Sequence, residues 1–230
     1  MTESASLPPL IAIVGSDGSG KSTLGTALLD WMNESRPTRL CHLGKQTGNI
    51  GRAIGRLPLV GGRLDKTLHE KAAKATDPAG PGVVTALVIY LFSMRRVWRF
   101  KRMLALRAKG FAILTDRFPQ LAVPGKVDGL GLDEAATGSG LVRWLARRER
   151  RHYEWMASHK PDLVIRLTVD LATAVARKPD HRVSSLETKI RDVERLTFGG
   201  APILDIDSAL SADAVLDHAK AAITGVLEQR

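Results

Sequence analysis

Cysteine and long apolar runs are scarce in this chain of 230 residues. The single cysteine, Cys41, excludes a framework of internal disulfide bonds and is compatible with a reducing compartment, so we expect a cytoplasmic protein. The longest apolar stretch, GVVTALVIYLFSM, has about a dozen residues; it is too short to span a bilayer and predicts a buried helix. The N-terminal sequence MTESASLPPL lacks the basic and apolar segments of a secretory signal.

Metal-ligand spacing, internal repeats and low-complexity linkers are also absent from the sequence. None of the six histidines stands at a spacing typical of a metal site. Hydrophobic residues make up 44% of the chain, which is typical of a globular protein. We therefore expect a single domain over residues 10–230, preceded by a flexible tail over residues 1–9.

The formal net charge of +10 is concentrated in two basic runs, residues 95–109 and 143–155. Both runs fit helices with one apolar face and one solvated, charged face. Basic runs with interleaved aromatic residues also suit a nucleic-acid backbone, and a basic cleft concentrates small phosphorylated molecules. We therefore expect the two basic runs to form solvated helix faces, and binding of nucleic acid remains a less favoured alternative.

Five short apolar segments alternate with helical patterns along the chain. The segments are LIAIVG, TRLCHLG, FAILTDRF, PDLVIRLTVD and PILDID. This alternation predicts an α/β fold with a five-stranded parallel sheet covered by helices on both faces, and ligands outside the carboxyl ends of the strands.

Finer features of the intervening segments are also predictable. Residues 83–109 predict one long or broken helix, KVDGLGLDEAATGSG predicts a mobile loop, and SSLETKIRDVERL predicts a helix that opens with serine caps. Trp98, Trp144 and Trp155 occur at helical spacing among apolar residues, which favours packing in the core or an interface over base stacking.

The segment GSDGSGKST, which follows LIAIV, matches the phosphate-binding pattern G-x-x-x-x-G-K-[ST]. Its glycines allow backbone N–H groups to converge on phosphate oxygens, Lys21 reaches the outer phosphates, and the Ser22 hydroxyl is a Mg²⁺ ligand at a helix N-terminus. The pattern predicts ATP and Mg²⁺ as cofactors. The residues predicted to bind the nucleotide are Gly15, Ser16, Asp17, Gly18, Ser19, Gly20, Lys21, Ser22 and Thr23.

Asp116 and Arg117 end the apolar segment FAILTDRF, at the edge where parallel sheets place their chemistry. An aspartate here can hold a metal-bound water or orient an acceptor, and an arginine can clamp a phosphate. Asp116 is accordingly a second candidate metal ligand beside Ser22. A purely structural pair that closes the strand is the alternative.

With these motifs, the chain resembles the thymidylate kinases, P-loop kinases of nucleoside monophosphates. GSDGSGKST resembles that family's loop with its acidic residue, LFSMRR its LFAADR stretch, and DRF its DR[YF] motif. PDLVIRLTVDLATAVARK and PILDIDSALSADAV resemble later parts of the family, so that the likeness extends over about residues 10–227. The resemblance implies a P-loop NTPase fold with a short lid at about residues 177–184, a small phosphorylated acceptor with dTMP as the first substrate to test, and a homodimer.

The same resemblance implies roles for individual residues. Asp17 contacts the sugar 3′-hydroxyl of the acceptor, Arg96 reaches the acceptor nucleotide, and Phe92 stacks on its base or belongs to the core. Lys45 stands in for an arginine that binds the acceptor phosphate, and Arg117 clamps it. The residues expected to act in catalysis are Lys21, Asp116, Arg117, Arg177 and Arg182, the last two closing over the transferring phosphoryl group unless they are only solvated.

The segment after DRF departs from the family. PQLAVPG offers Leu121 and Val123 where a serine and further polar residues contact thymine. An alternative is therefore a kinase of the same fold that acts on another nucleotide, a nucleoside or a carbohydrate; a hydroxyl acceptor would need Asp17 or Asp116 as a base. A third alternative is a nucleotide-switched binding protein for nucleic acid or an acidic partner.

Overall fold

The computed structural model describes residues 7–44, 81–125, 127–132 and 139–229, in which strands and helices alternate. The strands are β1 (Leu10–Gly15), β2 (Thr38–His42), β3 (Ala112–Asp116), β4 (Leu163–Thr168) and β5 (Ile203–Asp207). The helices are α1 (Lys21–Ser35), α2 (Val83–Ala108), α3 (Gly140–Ser158), α4 (Leu171–Arg177), α5 (Val183–Glu194) and α6 (Ala212–Glu228), with a short 3₁₀ turn at Phe198–Gly200.

The strands form one parallel sheet in the order β2-β3-β1-β4-β5, which confirms the predicted five-stranded parallel sheet. β1 is central, and Ile13 near its end is in register with Asp116 at the end of β3. The sheet therefore brings the glycine loop after β1 and the Asp116–Arg117 pair to the same edge, although they are a hundred residues apart in sequence.

Alternate side chains of β1 enter two hydrophobic cores, one on each face of the sheet. Leu10, Ala12 and Val14 pack against α2 and α3, whereas Ile11 and Ile13 pack against α1 and α6. Burial on both faces explains why LIAIV is an uninterrupted apolar run rather than an alternating one. Each large apolar side chain buried in this way stabilises the fold by about 1.5–3 kcal/mol.

α2, the predicted long helix, is continuous over 26 residues and packs beside α3. Within the described part of the chain, no helix combines the length and apolar character needed to cross a membrane. Trp155 packs on Phe100 with ring centroids 5.5 Å apart, as predicted for the core. Trp98 and Trp144 are 61% and 48% exposed and lie on the outward faces of α2 and α3, beneath Arg102 and Arg148; this excludes the core for them, and the other predicted place, an interface, stays a prediction.

The ends of several elements differ from the sequence-based expectation. Arg182 precedes α5 without a side-chain cap, so the predicted serine cap is wrong: the serines of SSLETK lie inside the first turn. The carbonyl of Pro8 accepts a hydrogen bond from Arg107 and that of Pro9 accepts one from the Ile113 amide. The chain is therefore held before β1 begins, and residues 1–6 of the predicted tail lie outside the described residues.

Candidate functional site

The glycine loop turns sharply between β1 and α1. Gly18 and Gly20 have φ angles of +84° and +83°, in the left-handed region that favours glycine. Ser22 and Thr23 are exposed in the first turn of α1, which contains no acidic residue. The positive end of the α1 dipole is thus free of an internal counter-charge, as a phosphate-binding helix terminus requires.

Gly15 and Ser19 pack tightly at the base of this loop. A Cβ atom on Gly15 would lie 2.6 Å from Ser19 Oγ and 2.7 Å from the Leu167 carbonyl, so that only glycine fits there. Ser19 donates a hydrogen bond to the Ser16 carbonyl at 2.9 Å, which fixes the turn. The loop predicted to bind the nucleotide is therefore held in a compact turn by contacts of its own residues and of Leu167.

Lys21 is largely buried and folds back over the loop, where its ammonium contacts the Ser16 carbonyl and lies 3.4 Å from Ser19 Oγ. Burial, together with the neighbouring Arg117 guanidinium, lowers the pKa of Lys21 to about 8. Asp17, Asp116 and Asp128 oppose this shift, and an incoming phosphate would oppose it further. Lys21 thus has the position and the electrostatic environment of a phosphate-binding lysine.

Arg117 directly follows β3 and extends toward the glycine loop. Its Nη2 donates to Asp17 Oδ1 at 3.1 Å, and its backbone adopts a left-handed φ of +69°. The guanidinium passes so close to Gly44 that a Cβ there would lie 2.7 Å from Arg117 Cδ. Sparsely populated backbone angles in a non-glycine residue cost about 1–3 kcal/mol and tend to occur at functional sites.

Arg96, predicted to reach the acceptor, lies in the protein interior with no exposed surface. Its guanidinium donates to the carbonyl of Leu43, to the hydroxyl of Tyr153 at 2.9 Å, and to both the backbone carbonyl and the carboxylate of Asp128. The other carboxylate oxygen of Asp128 accepts from Arg117 at 3.3 Å. In this structure Arg96 therefore supports Arg117 through Asp128 instead of facing the cleft.

Asp128 was not anticipated from the sequence, where it stands in a glycine-rich segment. Its backbone φ is +68°, and the buried carboxylate of Glu149 holds the next turn by accepting the amides of Gly131 and Leu132. Residues 127–132 of the predicted mobile loop are thus held by hydrogen bonds, whereas residue 126 and residues 133–138 lie outside the described residues. The sequence gives one signal that this segment is held in place. Glu149 places a carboxylate on the apolar side of a helix, between Leu145 and Tyr153.

Asp116 combines one engaged and one free carboxylate oxygen. Oδ2 lies 3.1 Å from Nδ1 of the exposed His42, whereas Oδ1 is buried and has no hydrogen-bond partner among the described residues. An orphaned carboxylate oxygen, at the sheet edge where the helix that carries Ser22 also begins, fits Mg²⁺, which commonly takes one or two protein oxygens and completes its shell with phosphates and water. The described residues contain no cluster of three or more His, Cys, Asp or Glu side chains, so Ser22 and Asp116 remain the candidate ligands.

The two lid arginines occupy different positions. Arg177, the last residue of α4, donates to the Gly18 carbonyl at 3.1 Å and to the Ser208 carbonyl at 2.9 Å, and so joins the glycine loop to the segment after β5. Arg182 is exposed just before α5. The structure brings Arg177 to the loop and leaves Arg182 on the surface.

Lys189, on α5, is a further residue at the site. Its Nζ lies 2.5 Å from Asp17 Oδ2, and His181 Nδ1 lies 3.7 Å from the same oxygen. Burial alone would raise the pKa of Asp17, but the Lys189 ammonium and the Arg117 guanidinium outweigh it and lower that pKa to about 2. In the sequence, Lys189 is one cation among many on an amphipathic helix, so nothing in its spacing predicted this contact.

Two predicted acceptor residues complete the survey. Phe92 is half-buried on α2, one turn before Arg96. Lys45 lies outside the described residues, immediately after Gly44. The described site thus brings together Asp17, Lys21, Asp116 and Arg117 from the predicted set, with Asp128 and Lys189 added.

Curated proteins similar to this chain include two from Escherichia coli. The uncharacterized ATP-binding protein YghS of strain K12 is 44% identical over 221 residues, which cover 95% of this chain and 93% of YghS. The uncharacterized ATP-binding protein YghR of the same strain is 40% identical over 222 residues, which cover 95% of this chain and 88% of YghR. No protein-family model matches the chain.

Solved structures with a similar fold include deoxyadenosine kinase from M. mycoides with bound dATP. It superposes with a TM-score of 0.52 at 14% identity, covering 93% of this chain and 98% of that one. The same enzyme with dCMP and a flexible dCDP as bound products gives a TM-score of 0.53 at 13% identity over 94% of this chain. At such low identity the likeness shows the fold alone, which is the predicted P-loop NTPase fold.

Proposed function

This chain belongs to the family of the ATP-binding proteins YghS and YghR, and from that premise we propose that it is an ATP- and Mg²⁺-dependent phosphotransferase of the thymidylate kinase type. It moves the γ-phosphoryl group of ATP to a nucleoside monophosphate, with dTMP as the first acceptor to test. The observation that carries the proposal is the position of Arg117, which reaches across from β3 to Asp17 in the loop that contains Lys21. Phosphoryl transfer depends mainly on positioning and countercharge, and this arrangement provides both.

The nucleotide side of the site is the loop at residues 15–23. Its backbone N–H groups and the α1 dipole hold the ATP phosphates, and Lys21 swings from the Ser16 carbonyl to the outer phosphates. Ser22 and Asp116 would hold Mg²⁺, which would supply charge neutralisation on the phosphate oxygens. ATP binding is also what the names of YghS and YghR state of those proteins.

The acceptor side is formed by Arg117 and Asp17. A monophosphate oxygen is already anionic and needs a guanidinium rather than a strong base. Asp17, whose pKa is lowered to about 2, is a weak base at neutral pH but a good hydrogen-bond acceptor for a sugar hydroxyl. Both properties support a phosphorylated acceptor.

A kinase of the same fold that acts on a nucleoside or carbohydrate hydroxyl is the second candidate. The observation that favours it is the buried Asp116 Oδ1, which has no described hydrogen-bond partner and is able to accept a hydroxyl proton. The two similar solved structures are of a deoxyadenosine kinase, and they support this candidate only as examples of the fold.

The experiment is ADP release by the purified protein with ATP and Mg²⁺ across dTMP, other monophosphates, nucleosides and sugars. Lys21→Ala is the blank, and its circular dichroism spectrum and melting temperature establish that it is folded. Stimulation by dTMP that is lost in the blank supports the thymidylate kinase type, whereas turnover of a hydroxyl acceptor alone supports the second candidate. No turnover with any acceptor, together with salt-dependent binding of nucleic acid, overturns both in favour of a nucleotide-switched binding protein.

We also propose a homodimer, supported by apolar side chains on the outward faces of the adjacent helices α2 and α3. The exposed side chains there include Leu87, Leu91, Trp98, Leu141 and Trp144. Large apolar side chains exposed on two helices that pack together are often part of an interaction site. Sedimentation of the wild type and of Leu91→Glu tests the proposal: a monomeric wild type contradicts it.

A further inference from the structure

The contact between Lys189 and Asp17 joins the helix after the lid to the glycine loop. Lys189 is the one side chain of α5 with a described ion pair to that loop, and its side chain is only 36% exposed. On the other side of the lid, Arg177 at the end of α4 binds the carbonyl of Gly18. Two neighbouring residues of the glycine loop are therefore held by cations from the two sides of the lid. Lys189 binds Asp17, and Arg177 binds Gly18.

α5 is fixed firmly enough to place the lysine. Leu186 is fully buried and packs with Val169 and Ala174, which holds the first half of the helix. At the other end, Arg166 of β4 donates to the carbonyls of Val193, Glu194 and Leu196. A cation on these terminal carbonyls also complements the negative end of the helix dipole.

Lys189 shares the charge balance of Asp17 with other cations. Arg117, from the end of β3, already pairs with its other oxygen at 3.1 Å, Lys21 of α1 contributes a further positive charge, and His181 lies 3.7 Å away. A lysine held in one rotamer loses side-chain entropy, and a partly exposed ion pair offsets little of that loss. Fold stability therefore does not explain the contact between Lys189 and Asp17. A role in orienting the Asp17 carboxylate does explain it.

We propose that Lys189 is a positioning residue of the transfer site: by binding Asp17 it locks α5 and the lid onto the acceptor side of the glycine loop and orients the Asp17 carboxylate toward the acceptor. The inference rests on the proposed function for the identity of the acceptor side. In this proposal the cation that this part of the chain contributes to the site is Lys189, whereas the sequence had suggested Arg182, which is exposed. No chemical step is assigned to Lys189.

Three variants test the kinetic consequence with the acceptor that the substrate panel identifies. Lys189→Met removes the charge and keeps side-chain length and helix propensity, Lys189→Arg keeps the charge, and Arg191→Met removes an exposed cation from the same helix. We expect Lys189→Met to raise the acceptor KM about tenfold or more, to change kcat less than threefold, and to leave MgATP binding within twofold. Lys189→Arg should recover most of the loss, and Arg191→Met should match the wild type.

Equal loss of MgATP binding and acceptor turnover in Lys189→Met would show general damage to the fold and would overturn the proposal. Unchanged kinetics in a folded Lys189→Met protein would overturn it as well. Failure of Lys189→Arg to recover any activity would argue against a role that depends on the charge.

A second measurement needs no acceptor. Carbon-detected NMR of the Asp17 carboxyl, assigned with Asp17→Asn, follows its titration in the wild type and in Lys189→Met, while trypsin probes residues 178–182. In Lys189→Met we expect the pKa of Asp17 to rise from about 2 toward its ordinary value. We also expect trypsin to cleave the segment at residues 178–182 faster in this variant. Arg191→Met should show neither change. Identical titration and cleavage overturn the positioning role. If both changes occur while no acceptor is phosphorylated, the proposed function fails and the lid contact remains established.

Discussion

The carboxylate of Asp128 holds the guanidinium of Arg117, with Oδ2 3.3 Å from Nη1. The same carboxylate binds the fully buried Arg96 through its other oxygen. Arg117 is thereby held between two carboxylates, Asp128 behind it and Asp17 in front of it. The orientation of the candidate phosphate clamp thus depends on a residue outside the glycine loop and the DRF motif.

Asp128→Ala should lower the free energy of unfolding by about 3–5 kcal/mol, because it leaves the charge of Arg96 buried without its anion. Urea unfolding followed by circular dichroism measures the loss. Asp205→Ala is the matched control, since Asp205 pairs with Arg166 but is 51% exposed; we expect a loss of about 1 kcal/mol or less. Equal losses of unfolding free energy in the two variants would mean that the burial of Arg96 does not determine the cost of removing Asp128.

Tyr153 should ionise far later than an ordinary tyrosine. Burial raises the pKa of its hydroxyl to about 12, although the adjacent Arg96 opposes this shift. Because the folded state holds the proton more tightly than the unfolded state, stability should fall as pH rises from about 10 toward 12. Absorbance titration of the two tyrosines should show a late component that Tyr153→Phe removes. Its persistence in the variant would assign it to the other tyrosine.

If the proposed function is right, Asp116→Asn should reduce kcat at least about a hundredfold, because the amide removes the negative charge of a candidate Mg²⁺ ligand. The melting temperature should change little, since Oδ1 has no described partner to lose. Steady-state kinetics at several Mg²⁺ concentrations measures the effect. His42→Gln, which changes the exposed neighbour of Asp116, should stay within about threefold of the wild type. A hundredfold loss of kcat in both variants would mean that activity depends on the contact between Asp116 and His42 rather than on Asp116 alone.

Gly15→Ala should abolish MgATP binding, because its Cβ would clash with Ser19 Oγ and with the backbone carbonyl of Leu167. Calorimetry of nucleotide binding is the direct measurement. Gly140→Ala, at the first position of α3 with open space around it, should bind nucleotide as the wild type does. Normal binding by Gly15→Ala would mean that the loop relaxes around the added methyl group.

The fold was predictable from the sequence because its signals are local. Each strand is a short apolar run, each helix has its own periodicity, and the glycine loop has a spacing that can be recognised without tertiary information. The same holds for Asp116 and Arg117, because their location at the end of a buried strand already implies the ligand-binding edge of the sheet.

The electrostatic part of the site was not predictable, because it depends on pairings between distant residues. Arg96 matched a family motif, but only the structure shows that Leu43, Asp128 and Tyr153 use its hydrogen-bond donors. Lys189 reaches Asp17 across 172 positions of sequence. Trp98 and Trp144 illustrate a related limit, since helical spacing alone does not say which of two apolar stripes faces inward.

The order of the strands also has a consequence for how the chain reaches its folded state. β1 is synthesised before both of its neighbours, β3 and β4, which follow about a hundred and about a hundred and fifty residues later. Until Thr168 has been synthesised, at least one edge of β1 is unpaired, and pairing of such distant strands is intrinsically slow. The nucleotide-binding loop, which depends on β1 for its shape, therefore forms late in biosynthesis, and the nascent chain presents its most apolar strand to chaperones before it can bind a ligand.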